Sequence, residues 1–130
     1  MNVEIKWLPK AAVLAMHARQ LAEHGGGTGI RDNGLLESAL QGPQNKYAYE
    51  NADMAAIAAA YAFGIAKNHP FVDGNKRTAL VASRTFLLLN GFQISATKAD
   101  RVRTFLGLAA GNVNEDELAN WFRQYMVAAS

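Results

Sequence analysis

The sequence predicts an all-α fold, one domain of about six helices covering residues 1–130. Three observations lead there. The segment Asp53 to Asn68 is apolar on nearly every face, the signature of a helix buried all round. The segment from about Gly74 to Leu89 carries Ala79, Val81, Ala82, Phe86 and Leu87 as core contacts. Residues that start and stop helices punctuate the rest: Pro9, Asp32-Asn33, Thr97 and Asn114 at starts, Gly25, Asn90-Gly91 and Gly111 at stops.

Taken in order, residues 3 to 8 alternate in part and read as an edge strand or an extended lead-in. Pro9 suits the first turn of a helix running to Glu23, with Ala12, Val13, Met16 and Leu21 inward and Gly25 closing it. His17 and His24 have no partner at metal-ligand spacing, which favours surface or structural roles. Gly25-Gly26-Gly27-Thr28-Gly29 reads as a connector rather than a phosphate cradle, because no Lys-Ser/Thr follows. Asp32 or Asn33 caps a short helix through Leu40, which Gly42-Pro43 ends. In the central segment, Gly64 lowers helicity by about 1 kcal/mol relative to Ala, which fits a close helix crossing. After the second apolar helix, Phe92 to Ser95 is a brief extended piece. Thr97 caps a helix to about Ala110. Asn114 with Glu117 spells a capping box for a last helix through Trp121, Phe122 and Tyr125.

The chemistry concentrates in His69-Pro70-Phe71-Val72-Asp73-Gly74-Asn75-Lys76-Arg77, between the two apolar helices. Pro70 disfavours the α conformation before it, so the incoming helix should stop near Asn68 with His69 extended at its mouth. Histidine exchanges protons near neutral pH, and the plainer reading is a ring that satisfies local hydrogen bonds. Phe71 reads as an anchor. Asp73 and Gly74 have a turn-and-cap reading. They also have an anion-binding one, because the first amides of a helix point outward without partners. Lys76 and Arg77 oppose the helix dipole, at several tenths of a kcal/mol each, so an anionic ligand explains them better than stability does. Asp73 beside a phosphate suits Mg²⁺, which typically takes one or two carboxylates plus phosphate oxygens. A base, a metal ligand and a phosphate cradle together fit phosphoryl or nucleotidyl transfer.

His69 to Arg77, continued by Thr78-Ala79-Leu80, resembles the signature of the Fic/Doc (Fido) family, nearest its Doc, or death-on-curing, branch. The Fic pattern reads His-Pro-Phe-x-Asp/Glu-Gly-Asn-Gly-Arg-x-x-Arg. Lys76 and Leu80 depart from it in the manner of Doc proteins, while Gly74 keeps the wider pattern. The similarity extends upstream through Gly25-Gly26 and Arg31 to Leu40, and on to Tyr49. The resemblance implies the Fido fold, with a small flap hairpin around Gly42 to Tyr49; the plainer reading there is a loop packed by Tyr47 and Tyr49. It implies ATP as substrate with Mg²⁺, His69 as catalytic base and Asp73 on the metal. Gly74, Asn75, Lys76 and Arg77 then hold nucleotide phosphates. Doc-like outcome is γ-phosphate transfer to a hydroxyl of a translation elongation factor. Fic-like outcome is nucleotidyl transfer, and a non-catalytic corepressor role is a third. No Ser/Thr-x-x-x-Glu-Gly/Asn inhibitory segment occurs, so the resemblance implies a separate antitoxin.

Composition narrows the field further. The 130 residues are half hydrophobic, with no cysteine and a net charge of only +2. Disulfide and cysteine–metal scaffolds are excluded, and a direct nucleic-acid surface is not indicated. Nucleic acid would enter only through the antitoxin. Met1 to Lys6 lacks a secretory pattern, and the uncharged run Met54 to Ala66 falls short of the roughly 20 residues that span a bilayer. The expected location is the cytoplasm.

Overall fold

A computed structural model describes residues 4–129. The elements in order are α1 (Lys10–His24), α2 (Asn33–Glu50), α3 (Met54–Asn68), α4 (Asn75–Leu89), β1 (Phe92–Ile94), α5 (Lys98–Ala109), α6 (Glu115–Tyr125) and β2 (Met126–Ala128). The fold is all-α with one small two-stranded sheet.

α3 is the axis. Ala55 to Ala62, Ile65 and Ala66 are all buried, and α2, α4 and α6 pack around them. Small side chains make this close packing practicable. A methyl at Gly64 would stand 3.3 Å from Ala39 Cα of α2, which is the close crossing expected of that glycine. Tyr61, wholly buried, accepts a hydrogen bond at its hydroxyl from Leu8 N (3.1 Å), and burial raises its phenol pKa. The residues before α1 are an extended lead-in, not a strand; Lys6 exchanges main-chain hydrogen bonds with the Asn90 side chain (2.9 and 3.0 Å). Val3 of that expected stretch lies outside the described residues.

β1 and β2 pair antiparallel, with Phe92 opposite Ala128, Gln93 opposite Val127 and Ile94 opposite Met126. This ties the end of α4 to the end of α6. The α6 capping box forms as read from the sequence: Asn114 Oδ1 accepts from Glu117 N (2.8 Å) and Glu117 Oε1 from Asn114 N (3.1 Å).

One helix boundary differs from expectation. α2 does not stop at Gly42-Pro43 but continues to Glu50. An interior proline costs a helix about 3 kcal/mol. Tertiary contacts offset it: Pro43 is buried, Tyr47 stacks edge-on against Trp7 at 5.9 Å, and Lys46 pairs with Glu115 of α6. The expected flap around Gly42 to Tyr49 is therefore helix.

Asp53 ties two helices together. Its Oδ1 caps α3 by accepting from Ala56 N (2.9 Å), and both oxygens accept from the Arg123 guanidinium of α6 (2.8 and 3.0 Å). Hydrogen bonding from Arg123 is the main reason its carboxyl titrates below the ordinary 3.8. A depressed folded pKa means that the stabilisation is complete above 3.8 and disappears as pH falls through the lower folded value. Asp53→Ala is predicted to cost about 1 kcal/mol in thermal or urea unfolding at pH 7. The variant should also lose stability less steeply than the parent below pH 3.8.

Candidate active site

α3 and α4 are joined by residues 69–74, and that joint is where the chemistry collects. Pro70 excludes the α conformation at His69. The chain meets the constraint not by extending, as expected, but by turning left-handed: His69 has φ 49° and ψ 55°. A left-handed residue ends a helix cleanly and leaves its last carbonyls needing donors. Arg31 supplies them, with Nε donating to His69 O (2.6 Å) and Nη2 to Asn68 O (2.7 Å). A cation at a helix C-terminus is also electrostatically favourable.

The loop is then clamped from within. Phe71 is buried, as an anchor should be. Asn75 Oδ1 accepts from Phe71 N (3.0 Å) and its Nδ2 donates to Phe71 O (2.9 Å). That buried amide is fully engaged, so what Asn75 offers an anion is its main-chain N–H. The same Nδ2 stands 3.4 Å from His69 Nδ1, too long to fix the imidazole tautomer.

α4 starts at Asn75 with Gly74 as its N-cap residue (φ 78°), and no side chain caps it. Asp73 is thus not the helix cap; its Oδ1 accepts from Gly74 N (2.8 Å) instead. The helix's hydrogen bonding begins with Thr78 N donating to Gly74 O (3.0 Å), so the amides of Asn75, Lys76 and Arg77 precede its first turn bond. Lys76 and Arg77 are exposed, and among the described residues neither makes an ion pair.

All six predicted site residues line one groove of about 480 Å³: His69, Asp73, Gly74, Asn75, Lys76 and Arg77, joined by Val72 and by Ala109 of α5. One carboxylate faces an imidazole, two cations and an uncapped helix start. That set suits a polyanion. Among the described residues no group of three or more His, Cys, Asp or Glu gathers that could hold a metal ion. A cation at Asp73 would therefore take most of its shell from a ligand, which fits Mg²⁺ bridged to phosphates and not a cation caged by protein. Arg84 does not line this groove; burial and the nearby Arg101 lower its pKa. A separate cavity of about 320 Å³, lined by Asn45, Lys46 and Glu115 among others, holds none of the six.

Three supports of the site were missed by the sequence reading. His17, 5% exposed, stacks on Phe71 (3.8 Å between ring centroids, 8° between planes). Its Nε2 donates to Asp73 O (2.8 Å), so its role is structural in a way that its isolated position did not reveal. The glycine run is no mere connector. Ile30 forms a bridge with Phe71, Val72 N donates to Gly29 O (3.1 Å), and Gly27 N approaches Asp73 Oδ2 at 3.4 Å. Extended chain does lie beside the site, in residues 25–32 and not in the expected 42–49. The third support is Arg31.

A methyl at Gly26 would stand 2.7 Å from Asp73 Oδ2, at a φ of +124°. Gly25, also at positive φ, meets nothing within 4 Å. Gly26→Ala is predicted to lose about 1–3 kcal/mol from backbone strain and to displace the Asp73 carboxylate as well. Gly25→Ala should show the backbone cost alone. Equal melting shifts with an unmoved Asp73 in a crystal structure of Gly26→Ala would reject the contact.

Comparison with known proteins places the chain in a family. The family model described as Fic/DOC family matches residues 7–87. The chain is 33% identical over 115 residues to a protein named Protein kinase doc from Escherichia phage P1, covering 86% of this chain and 89% of that one. It is 37% identical over 109 residues to a protein named Toxin Doc from Mycolicibacterium smegmatis, covering 81% and 84%.

Proposed function

The chain belongs to the Fic/DOC family, and from that premise we propose that it is a Doc-like toxin that transfers the γ-phosphate of ATP to a hydroxyl side chain of another protein. The observation that carries the reading is the single groove that gathers His69, Asp73 and the start of α4.

In this reading the triphosphate lies beside Gly74 against the free amides of Asn75, Lys76 and Arg77, with the Lys76 and Arg77 side chains neutralising phosphate charge. Asp73 would hold Mg²⁺, which when bound would supply further neutralisation of phosphate charge. His69 takes the proton of the acceptor hydroxyl. The acceptor oxygen bonds to the γ-phosphorus as the bond to the β–γ bridging oxygen breaks, and ADP leaves. Arg31, on the His69 carbonyl, and Asn75, on Phe71, keep the His69 backbone and the anion cradle in fixed relation, so proximity contributes as well as charge.

Phosphate transfer is preferred to nucleotidyl transfer on two grounds. Lys76 and Leu80 stand where the Fic pattern has glycine and arginine, which alters the cations available to the β- and γ-phosphates. A relative over most of the chain carries the name of a protein kinase. The acceptor is taken to be a translation elongation factor, whose modification arrests protein synthesis in the cytoplasm. A cognate antitoxin would restrain the enzyme. No helix among the described residues is long and apolar enough to cross a membrane.

His69→Ala is predicted to slow transfer by about 10²–10⁴-fold, the usual contribution of a general base; transfer at the parent rate would remove the base assignment. ATP labelled separately at its α and γ positions should leave only γ label on the acceptor, and retained α label would mean nucleotidyl transfer. In cells, expression without an antitoxin should halt growth and His69→Ala should restore it. Unimpeded growth at a good level of the unaltered chain would contradict the toxin reading.

A further inference from the structure

α5 has two apolar faces where a peripheral helix needs one. Phe105 and Leu108 point into the core and are buried. Ala99, Val102, Leu106 and Ala109 follow one another at intervals of three, four and three, which places them along a second stripe. All four are exposed, Val102 by 45% and Leu106 by 48%. A single exposed leucine needs no explanation. This stripe differs because of where it leads. Its last member, Ala109, forms part of the wall of the groove that holds His69. At 1.5 Å rise per residue, Leu106 lies about 4.5 Å and Val102 about 10 Å from Ala109 along the axis.

The upper stripe borders a shallow concavity of about 580 Å³ lined by Lys98, Ala99, Val102, Arg103 and Leu106. Arg103 pairs with Asp100 on its own helix (2.9 Å), while among the described residues Lys98 makes no ion pair. An apolar strip with a basic margin therefore ends at the wall of the groove that His69 also lines.

We infer that this strip is the seat of the acceptor protein, which lays an apolar ridge with an acidic flank along α5 and so brings its hydroxyl to His69. The inference rests on the transferase reading above. Two considerations select this occupant. The groove is lined mainly by charged and amide side chains and in this reading is occupied by a triphosphate, so selection of a macromolecule must come from surface outside it. The strip is also continuous with the groove, so a protein lying on it is delivered to the reacting end. Val72, 55% exposed, lines the same groove and adds to its apolar border, whereas Tyr49 and Val127 line no part of it.

The test uses the full chain, ATP labelled at both α and γ positions, and a bacterial cytosolic extract as acceptor over a range of dilutions. The double variant Val102→Ser/Leu106→Ser is expected to cut labelling at least tenfold in dilute extract and to recover as the extract is concentrated. Its affinity for Mg-ATP and its melting temperature should match the parent. Lys98→Glu, which alters no apolar atom, should show a smaller loss of the same kind and serves if the double variant folds poorly. Unchanged labelling at every dilution, or a loss that concentrated extract does not restore, overturns the inference. So does normal labelling accompanied by failure to bind the antitoxin or by dissociation of a dimer, since the strip would then belong to those partners. An extract that takes no label from the parent chain removes the transferase reading and the role of this surface with it; a parent that labels normally beside an indifferent variant removes only the latter.

Discussion

A buried asparagine amide holds the turn between α3 and α4. Asn75 bonds both to the N–H and to the carbonyl of Phe71 (3.0 and 2.9 Å), which closes the joint between α3 and α4 on itself. A loop with unpaired main-chain groups at that depth would be costly, because each buried unsatisfied group forfeits about 1–3 kcal/mol. The clamp instead lets Phe71 sink into the core while its neighbours on either side, His69 and Asp73, stay exposed. Everything proposed for the site requires this division between a fixed, buried centre and two presented flanks.

Elements far apart in sequence hold the clamp in place. α1 contributes His17, stacked on Phe71 and bonded to the Asp73 carbonyl. The loop after α1 contributes Arg31 at the end of α3 and the Gly27 amide facing Asp73. α3 supplies a rigid, alanine-rich floor that α2, α4 and α6 all press upon. Preorganisation of this kind is what electrostatic stabilisation of a transferring phosphoryl group needs, since donors that are already oriented cost no rearrangement during reaction. The left-handed His69 belongs to the same economy of means. The proline after it bars the helix from continuing, and two carbonyls freed by that break are taken up by one arginine.

Much of this was legible in the residues. The uniform apolarity of Asp53 to Asn68 announced a buried central helix, and Gly64 announced a close crossing. Asn114 with Glu117 announced a helix start that formed as read. The nine-residue motif marked out the candidate site because its residue types serve one reaction class, and its residues do line one groove. What escaped reading depended on partners remote in sequence. Gly42-Pro43 is a strong local stop signal, yet packing of Pro43, Tyr47 and Lys46 carries α2 past it. His17 lies 56 residues from Asp73, and no local pattern marks it as a support. The glycine run looked like a connector because phosphate loops identify themselves by a following lysine, whereas this one works by lying alongside another loop. The extended conformation expected at His69 is the one proline sterics favour; the residue is instead left-handed, and Arg31 satisfies the two carbonyls at that helix end.

The claim beneath all of these is that a triphosphate settles on the first amides of α4 with the imidazole facing it. Amide chemical shifts recorded while Mg-ATP is titrated into the 130-residue chain address it directly. The account predicts that the shifts concentrate on Gly74, Asn75, Lys76 and Arg77, with smaller ones at His69 and at Gly26 and Gly27. Shifts confined to the cavity around Asn45 and Glu115, with residues 69–77 unmoved at saturation, would contradict it.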